Sequence, residues 1–467
     1  MQENGLSLGA ERSKVLTRVA DTVGQVWASF DKARDVEPAV SERINAILQE
    51  PLPIQGSTWE VPFNDAVEIL DQSTAQSRPR FFAYIGSSGL ETGAIADFLA
   101  ASYDINLAVD ALAASRLEEQ ASRWVSEFIG FSDARGLFTS GGTVSNITAL
   151  AAARQKADPD SRQQGLTKSL TVYCSEEAHY SNKRAVELLG LGSSSLRAIP
   201  ITASHQIDTR ELENQIRKDI ASGYVPMAII ASAGTTLTGS VDNLQEIARI
   251  GRDYAVWVHV DGAYGVPAAR SRNAGHFFKG LNLCDSVTID AHKWLFVPKA
   301  CSLVLMKDYA ALHATFSHNE AYMPHEKEEP NPVDVTLEYS RPLRALKLWL
   351  GFKTHGADAF AAAISENIGL AHYAYEKARA NPKYRTLEFA PQLSIVPMQY
   401  LGPDGSYDSD FNSKLCEAIK KDGRVYLSPA QIAGESWLRP CFTNFRTNRD
   451  DVDELFTVIE DVAARIS

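Results

Sequence analysis

The first part of the chain shows a helical pattern of apolar positions. Over residues 12–31 an apolar side chain recurs at intervals of about three to four, which predicts an amphipathic helix. The proline-containing run at 51–57 interrupts this pattern. Because no strand signal accompanies these helices, the sequence predicts an N-terminal helical arm over residues 1–85.

Between residues 86 and 345, short apolar runs alternate with helix-like segments. The runs predict strands at 170–175, 225–232, 256–260, 286–290 and 301–306. Apolar strands separated by helices are typical of a mostly parallel sheet that is covered on both faces. The sequence therefore predicts an α/β fold, with a large domain over 86–345. Ligands of such sheets bind beyond the carboxyl ends of the strands.

The last part of the chain predicts a smaller α+β domain over 346–467. A helix is expected at 343–355, weaker strands at 394–400 and 424–428, and a final helix at 452–466. The polar segment at 317–334 contains three prolines and few apolar residues, which is typical of an exposed loop. Long loops in compact domains often act as lids.

Composition and charge narrow the class of protein. The chain has 467 residues and a formal net charge of −12, which disfavours a broad nucleic-acid interface. No apolar stretch approaches the roughly 20 residues of a membrane span, and the first residues lack the apolar core of a secretory signal. The 5 cysteines are scattered without a CxxC pair, so neither a zinc site nor a disulfide framework is indicated. We expect a cytoplasmic protein without a metal.

Four short segments contain candidate catalytic or binding residues. The first, at 139–146, is a turn of small and hydroxyl residues, with Gly142 and Thr143 at its centre, that leads into a helix. Glycines let a backbone approach an anion, and a helix N-terminus offers free N–H groups and partial positive charge. A plain capped helix is the alternative. No Gly-Lys-Ser/Thr follows, so the segment is not a nucleotide P-loop.

The other three segments each supply one polar side chain near a strand end. Asp261 ends a buried strand, where an acid needs hydrogen bonds or a cation; a helix cap, or a metal ligand together with His259, is the alternative. Lys293 follows a strand and precedes an apolar run, so its amine is costly to keep charged and could act as a nucleophile. A lysine extending to solvent is the alternative. His179 could be a capping residue or a flat ring over a planar ligand.

Together these segments match the needs of pyridoxal 5′-phosphate. Its aldehyde requires a lysine, its pyridine nitrogen an acid, and its phosphate a helix N-terminus. The combination is far more specific than any one of its parts.

On these residues the sequence resembles the group II pyridoxal-phosphate-dependent amino-acid decarboxylases, and among them the aromatic-L-amino-acid decarboxylases. The motif at 290–294, DAHKW, is the most specific element, and the similarity runs from PRFFAY at 79–84 to WLRP at 437–440. The resemblance implies a type I aminotransferase fold: a mostly parallel seven-stranded central sheet, helices on both faces and a smaller C-terminal domain. It also implies a homodimer with active sites at the subunit interface.

The resemblance assigns roles to individual residues. Lys293 matches the lysine that forms the Schiff base, Asp261 the acid that pairs with the pyridinium nitrogen, and His179 the histidine stacked on the ring. The other matching cofactor contacts are Gly142, Thr143 and His292 at the phosphate, Thr236 near the ring hydroxyl, Ala263 on the opposite ring face, and Asp290, where aromatic decarboxylases carry asparagine.

The resemblance also suggests substrate contacts. Tyr84 and Ser87 match pocket residues, Ile85 and Leu107 fall where aromatic decarboxylases place phenylalanines, and Arg439 matches an arginine that helps to hold the active-site charges or the substrate carboxylate. No additional arginine or lysine is evident near these positions, so the sequence favours an aromatic or apolar substrate. The loop should supply a proton donor, for which Tyr322, paired with His318, is the nearest candidate.

The implied reaction is α-decarboxylation of an L-amino acid to an amine and carbon dioxide. Alternatives are an oxidative decarboxylase that releases an aldehyde, a decarboxylase of an acidic amino acid, and a catalytically silent binding protein. A Rossmann oxidoreductase is suggested only by Gly190 and Gly192; Ser195 replaces the third glycine, and no strand precedes the motif.

Overall fold

The computed structural model describes residues 6–34, 39–318 and 331–466. The α-helices within these ranges are α1 (Arg12–Phe30), α2 (Glu42–Ile47), α3 (Glu60–Asp71), α4 (Glu91–Tyr103), α5 (Ala113–Ile129), α6 (Gly142–Ala157), α7 (Ser161–Gln164), α8 (Tyr180–Leu188), α9 (Thr209–Ala221), α10 (Leu244–Tyr254), α11 (Ala291–Trp294), α12 (Ala310–Phe316), α13 (Ala345–His355), α14 (Ala357–Ala380), α15 (Ser409–Asp422) and α16 (Arg449–Ile466).

The strands form two sheets. The strands are β1 (Arg135–Thr139), β2 (Leu170–Ser175), β3 (Leu196–Ile199), β4 (Val225–Ser232), β5 (Trp257–Asp261), β6 (Ser286–Ile289), β7 (Ser302–Met306), β8 (Tyr384–Thr386), β9 (Met398–Tyr400), β10 (Ser428–Ile432) and β11 (Glu435–Arg439). The first seven make the central sheet, in the order β1-β7-β6-β5-β4-β2-β3, and the last four make a smaller sheet.

The central sheet confirms the predicted mostly parallel, seven-stranded architecture. Only β7 runs antiparallel to its neighbours, β1 and β6. All side chains of β2 are buried, as in a sheet covered on both faces. The packing is close: a Cβ on Gly251 of α10 would lie 2.2 Å from Val258 Cγ2 on β5. Strands β1 and β3 were not predicted.

The topology brings the candidate site residues to one edge of this sheet. Strands β1, β2, β4, β5 and β6 run parallel, so their carboxyl ends meet at the same edge. The turn before α6, the segment around His179, the turn at 233–236, Asp261 and the segment with Lys293 all follow these ends. The strand signals in the sequence therefore place the candidate residues near one another.

The smaller sheet is fully antiparallel, in the order β10-β11-β9-β8. Residues 433 and 434, both with positive φ, join β10 to β11 in a tight hairpin. The predicted strand at 394–400 shortens to β9. The predicted strand at 424–428 is wrong: β10 begins at Ser428, and the preceding Tyr426 forms an isolated bridge with Phe81. Phe81 belongs to no strand, so Tyr426 pairs with it at a single position and no strand forms over 424–427.

The described N-terminal residues include helices α1, α2 and α3, and α1 buries none of its side chains in this chain. None of the described helices combines the length and hydrophobicity that a bilayer-spanning segment requires. The predicted domain limits at 85/86 and 345/346 stay predictions.

Candidate active site

A cavity of about 810 Å³ lies at the carboxyl edge of the central sheet. It is lined by the predicted residues Tyr84, Gly142, Thr143, His179, Thr236, Asp261, Ala263, Asp290, His292, Lys293 and Arg439. These side chains come from segments more than 350 residues apart in the sequence, so only the fold brings them together. Ile85 also lines the cavity.

Among the predicted residues that the structure describes, Leu107 and Ser87 do not line the cavity. Leu107 is 1% exposed and packs in the main hydrophobic core, because an aliphatic side chain there is better buried than lining a polar cavity. The hydroxyl of Ser87 is buried and donates to the carbonyl of Val297 at 3.0 Å, so Ser87 supports the wall of the cavity from behind. Tyr322 lies outside the described residues, as does most of the predicted loop; His318 is described and exposed.

Lys293 is held by an ion pair. It sits on the short helix α11, and its Nζ lies 3.0 Å from Oδ2 of Asp290. Ser302 donates a hydrogen bond to the other carboxylate oxygen of Asp290. Burial disfavours the charged form of Asp290, but Lys293, His292 and Ser302 outweigh it, so the pKa of Asp290 lies below its usual value. The structure therefore aims an amine into the cavity beside a fixed negative charge.

The glycine turn before α6 is crowded at Gly142. A Cβ on Gly142 would lie 3.0 Å from both carboxylate oxygens of Asp290 and 3.2 Å from Ala263 Cβ. Helix α6 begins at this glycine, and Gly141, Thr143 and Val144 also line the cavity. The first N–H groups of a helix have no partner within it. This turn is therefore suited to bind an anion, as the sequence predicts.

Asp261 is oriented by two amides that the sequence analysis missed. Its Oδ2 accepts hydrogen bonds from Asn146 Nδ2 and Asn182 Nδ2, each at 3.0 Å. Both asparagines are about 1% exposed. The position of Asn146, one turn into the helix after the glycine turn, was the available signal. The amides fix the carboxylate so that it can pair with a protonated ring nitrogen.

His259 fixes Asn146 in turn. Its Nε2 lies 3.1 Å from Asn146 Oδ1, and its Nδ1 lies 2.8 Å from the hydroxyl of Ser286, which also accepts from Trp257 Nε1 at 2.8 Å. Since the Asn146 amide nitrogen faces Asp261, its oxygen accepts from His259, and Ser286 donates to Nδ1. Both ring nitrogens are thus occupied by protein groups, which removes the alternative of a metal held by His259 and Asp261.

This buried histidine predicts a pH dependence of stability. Burial lowers the pKa of His259 to about 4, although Asp261 opposes the shift. In the unfolded chain a histidine takes up its proton near pH 6.5, so the unfolded state binds more protons between these values. The free energy of unfolding should therefore fall by about 3 kcal/mol as the pH drops through this window.

Urea unfolding of the protein and of His259→Gln at several pH values measures this contribution. The difference between the two free energies should shrink on acidification, because glutamine does not titrate. A difference that stays constant from pH 7 to pH 4 would show that His259 takes up its proton at the same pH in the folded protein as in the unfolded chain, and would contradict the prediction.

His179 caps a helix and also lines the cavity, so its predicted role as a flat ring over a planar ligand stays a prediction. Its Nδ1 caps α8 by accepting a hydrogen bond from the backbone N–H of Ser181 at 3.3 Å. The same Nδ1 lies 2.8 Å from the Ser181 hydroxyl. The ring nevertheless lines the cavity. Burial lowers the pKa of His179, partly offset by Asp261, so the ring is neutral and flat in the ligand space.

Arg439 forms hydrogen bonds to two backbone segments and has one nitrogen, Nη2, without a partner among the described residues. Its Nε donates to Thr236 O at 2.6 Å and its Nη1 to Tyr84 O at 2.9 Å. Tyr84 has a positive φ of 55°, and its N–H donates to the Ser428 hydroxyl at 2.8 Å. Nη2 of Arg439 is buried and makes no hydrogen bond to a described residue. A buried donor of this kind is suited to bind a carboxylate.

The site fits pyridoxal 5′-phosphate. The turn at Gly142, where a methyl group would crowd Asp290 and Ala263, offers helix N–H groups to a phosphate, and His292 also lines the cavity. Lys293 supplies the amine, and Asp261 an oriented carboxylate. Among the described residues no cluster of three or more histidine, cysteine, aspartate or glutamate side chains could hold a metal ion.

The cavity also contains cations that the sequence analysis did not find. Lys299 and Lys420 line it, together with Ser428 and Leu237. Lys299 lies only six residues beyond Lys293, but its direction could not be read from the sequence. The expectation that no additional lysine lies near the substrate positions is therefore wrong.

Known proteins of one family are similar to this chain over most of its length. Residues 41–400 match the family model described as the pyridoxal-dependent decarboxylase conserved domain. The chain is 32% identical over 480 positions to an aromatic-L-amino-acid decarboxylase from Bacillus atrophaeus, covering 100% of this chain and 98% of the relative.

Solved structures show the same fold. A structure described as Oryza sativa TDC with PLP and tryptamine superposes with a TM-score of 0.91 at 21% identity, covering 99% of each chain. The 4-hydroxyphenylacetaldehyde synthase of Rhodiola rosea superposes with a TM-score of 0.89 at 25% identity, covering 99% of this chain and 100% of the other. The predicted fold class is confirmed.

Proposed function

Because the chain belongs to the pyridoxal-dependent decarboxylase family, a family of carboxy-lyases that use pyridoxal 5′-phosphate, we propose that it converts an L-amino acid to the corresponding amine and carbon dioxide. An aromatic or otherwise apolar side chain is favoured by the similarity to the aromatic-L-amino-acid decarboxylase, while Lys299 and Lys420 in the cavity make an acidic side chain the alternative. The observation that carries the proposal is the convergence of Lys293, Asp261, the glycine turn and Arg439 on one cavity.

Different residues would hold different parts of the coenzyme. The bound coenzyme supplies an aldehyde that combines with amines and a protonated ring that accepts the electron pair left when carbon dioxide departs. Lys293 would hold the coenzyme aldehyde through its Nζ. Asp261, held by two amides, keeps the proton on the ring nitrogen. Gly142, Thr143 and His292 hold the phosphate, while Thr236 contacts the ring hydroxyl.

The ring faces and the substrate carboxylate are held by other residues. His179 covers one face of the coenzyme ring and Ala263 the other. The buried guanidinium of Arg439 binds the substrate through its spare Nη2 donor, and its two backbone contacts fix the direction of that donor. Orientation matters because the bond that breaks must be aligned with the ring electrons. Arg439 is thereby a substrate-positioning residue.

A proton must then reach the α-carbon. Tyr322, or the nearby His318, is the proposed donor, and closure of their loop would exclude water. Leu107 and Ser87 are not proposed as substrate contacts, because both are buried and neither lines the cavity.

The proposed assembly is a homodimer with its active sites at the interface. Helix α1 buries none of its side chains within the chain, and large apolar side chains such as Leu52 and Ile54 are more than 80% exposed on the arm. Exposed apolar surface of this kind is typical of an interface. The 5 cysteines are free and buried, which suits the reducing cytoplasm that we propose as its location.

An aldehyde synthase is the second candidate, supported by the similarity to the Rhodiola rosea enzyme. Such an enzyme would consume oxygen and release ammonia and hydrogen peroxide together with the aldehyde and carbon dioxide.

A panel of L-amino acids tests the proposal. The holoenzyme should release carbon dioxide and an equal amount of amine from at least one aromatic or apolar member. Ammonia and peroxide in place of amine would favour the synthase. Release of no carbon dioxide from any member would refute both candidates.

A further inference from the structure

The segment at 298–300 forms one wall of the cavity. It follows α11, and its residues Lys299 and Ala300 line the cavity together with Leu237 and with Tyr84, which the sequence predicts as a substrate contact. The wall therefore combines apolar surface with one ammonium group. Its position and charge decide what it can bind.

The backbone of this wall is clamped from behind by a buried lysine. Lys347, 3% exposed, directs its Nζ at the carbonyl oxygens of Pro298, Lys299 and Ala300, at 3.4, 3.3 and 3.3 Å. The same Nζ lies 2.8 Å from Asp97 Oδ2 on α4. A buried charge needs such partners, so the clamp holds three consecutive peptides in one arrangement.

Helix α4 adds a second constraint. A Cβ on Gly93 would lie 2.5 Å from Pro298 Cδ, so the helix packs directly against the segment. The backbone that carries Lys299 is consequently fixed on two sides, while its side chain extends into the cavity.

The ammonium of Lys299 has donors to spare. It donates one hydrogen bond, to Gln76 Oε1 at 2.6 Å, and a lysine has three donors. Among residues 6–34, 39–318 and 331–466, no carboxylate lies within ion-pair distance of it. Lys420 differs, because Glu417 Oε1 lies 2.8 Å from its Nζ. Partial burial and the nearby charge of Lys293 lower the pKa of Lys299, which is the expected effect of a cation without a counter-ion.

We propose that Lys299 is a specificity-determining residue that selects L-amino acids whose side chain ends in an oxygen acceptor, either a phenol or a carboxylate. The proposal rests on the decarboxylase function given above. Once a substrate fills the cavity and displaces water, the free donors of Lys299 need an acceptor. A side chain without one leaves them unpaired, and sites built to hydrogen-bond a substrate discriminate strongly against such analogues.

The test compares matched substrates on the holoenzyme. One arm compares kcat/KM for L-tyrosine and L-phenylalanine, and the other compares L-glutamate and L-norleucine. The protein should prefer the oxygen-bearing member of one pair by about tenfold or more. Lys299→Met should lose that preference, whereas Lys299→Arg, which keeps donors and charge, should retain most of it. The arm that responds identifies the acceptor as phenol or carboxylate.

The control is Lys279→Met, because Lys279 is exposed and remote from the cavity lining. It should leave both ratios unchanged. Coenzyme absorbance and thermal unfolding establish that each variant is folded and loaded; should Lys299→Met fail this check, Lys299→Gln replaces it.

If Lys299→Met turns over substrate with both kcat/KM ratios unchanged, the inference is wrong. The proposed function would then still stand. Absence of turnover in the unsubstituted protein would refute the proposed function and the inference with it.

A variant of the clamp tests the positioning role separately. Lys347→Met should raise KM and reduce the same substrate preference, while kcat for the better substrate changes less, because Lys347 touches no ligand. An unchanged KM and an unchanged preference would contradict the role of the clamp.

Discussion

Lys293→Ala is expected to abolish decarboxylation, with a loss of more than about 10³-fold, because the variant loses both the covalent anchor and a proton-transferring amine. The near-visible absorbance of the bound coenzyme should shift as well, since no amine of the protein remains in its place. The substitution also leaves Asp290 without the amine 3.0 Å from its carboxylate.

Turnover and absorbance spectra of the variant check this prediction. Lys279→Ala is the matched control, because it removes an exposed lysine outside the cavity lining, and it should behave like the unsubstituted protein. A Lys293→Ala variant with full activity would contradict the assigned role.

Asp261→Asn should lower kcat by about 100-fold or more while the fold is retained. Asparagine has the same shape, so Asn146 and Asn182 can still donate to its side-chain oxygen, but the negative charge that holds the ring proton is lost. Hydrogen bonds to charged groups contribute about 1.5–3 kcal/mol, and 2.7 kcal/mol corresponds to roughly 100-fold in rate.

The measurement is kcat at saturating coenzyme and substrate, together with the unfolding temperature. Asp285→Asn is a suitable control, since Asp285 also lies beside a strand, where it accepts from Val258 N at 2.7 Å, but does not line the cavity. Equal kcat values for Asp261→Asn and the unsubstituted protein would show that this carboxylate does not support the ring proton.

The parts of the site that follow buried strands could be predicted from the sequence. Asp261 and Lys293 each come after a short apolar run, and parallel strands bring such positions to one edge. Gly142 was found for a similar reason, because a small-residue turn before a good helix is visible locally. Strand β1 escaped prediction because it is short and begins with Arg135 and Gly136, while β3 is only partly buried.

Contacts between distant segments could not be predicted. The support of Asp261 by Asn182 and the bond from Arg439 to the Tyr84 carbonyl join positions far apart in sequence. Leu107 was misplaced because its alignment with a pocket residue says nothing about its burial. Lys299 was missed because the direction of its side chain depends on the clamp by Lys347.

The most direct test of the account is the identity of the amine that holds the coenzyme. The purified holoenzyme would be reduced with borohydride, digested and sequenced by mass spectrometry to locate the phosphopyridoxyl group. The account predicts a single modified residue, Lys293. Stoichiometric modification of Lys299, Lys420 or any other lysine, with Lys293 unmodified, would contradict it.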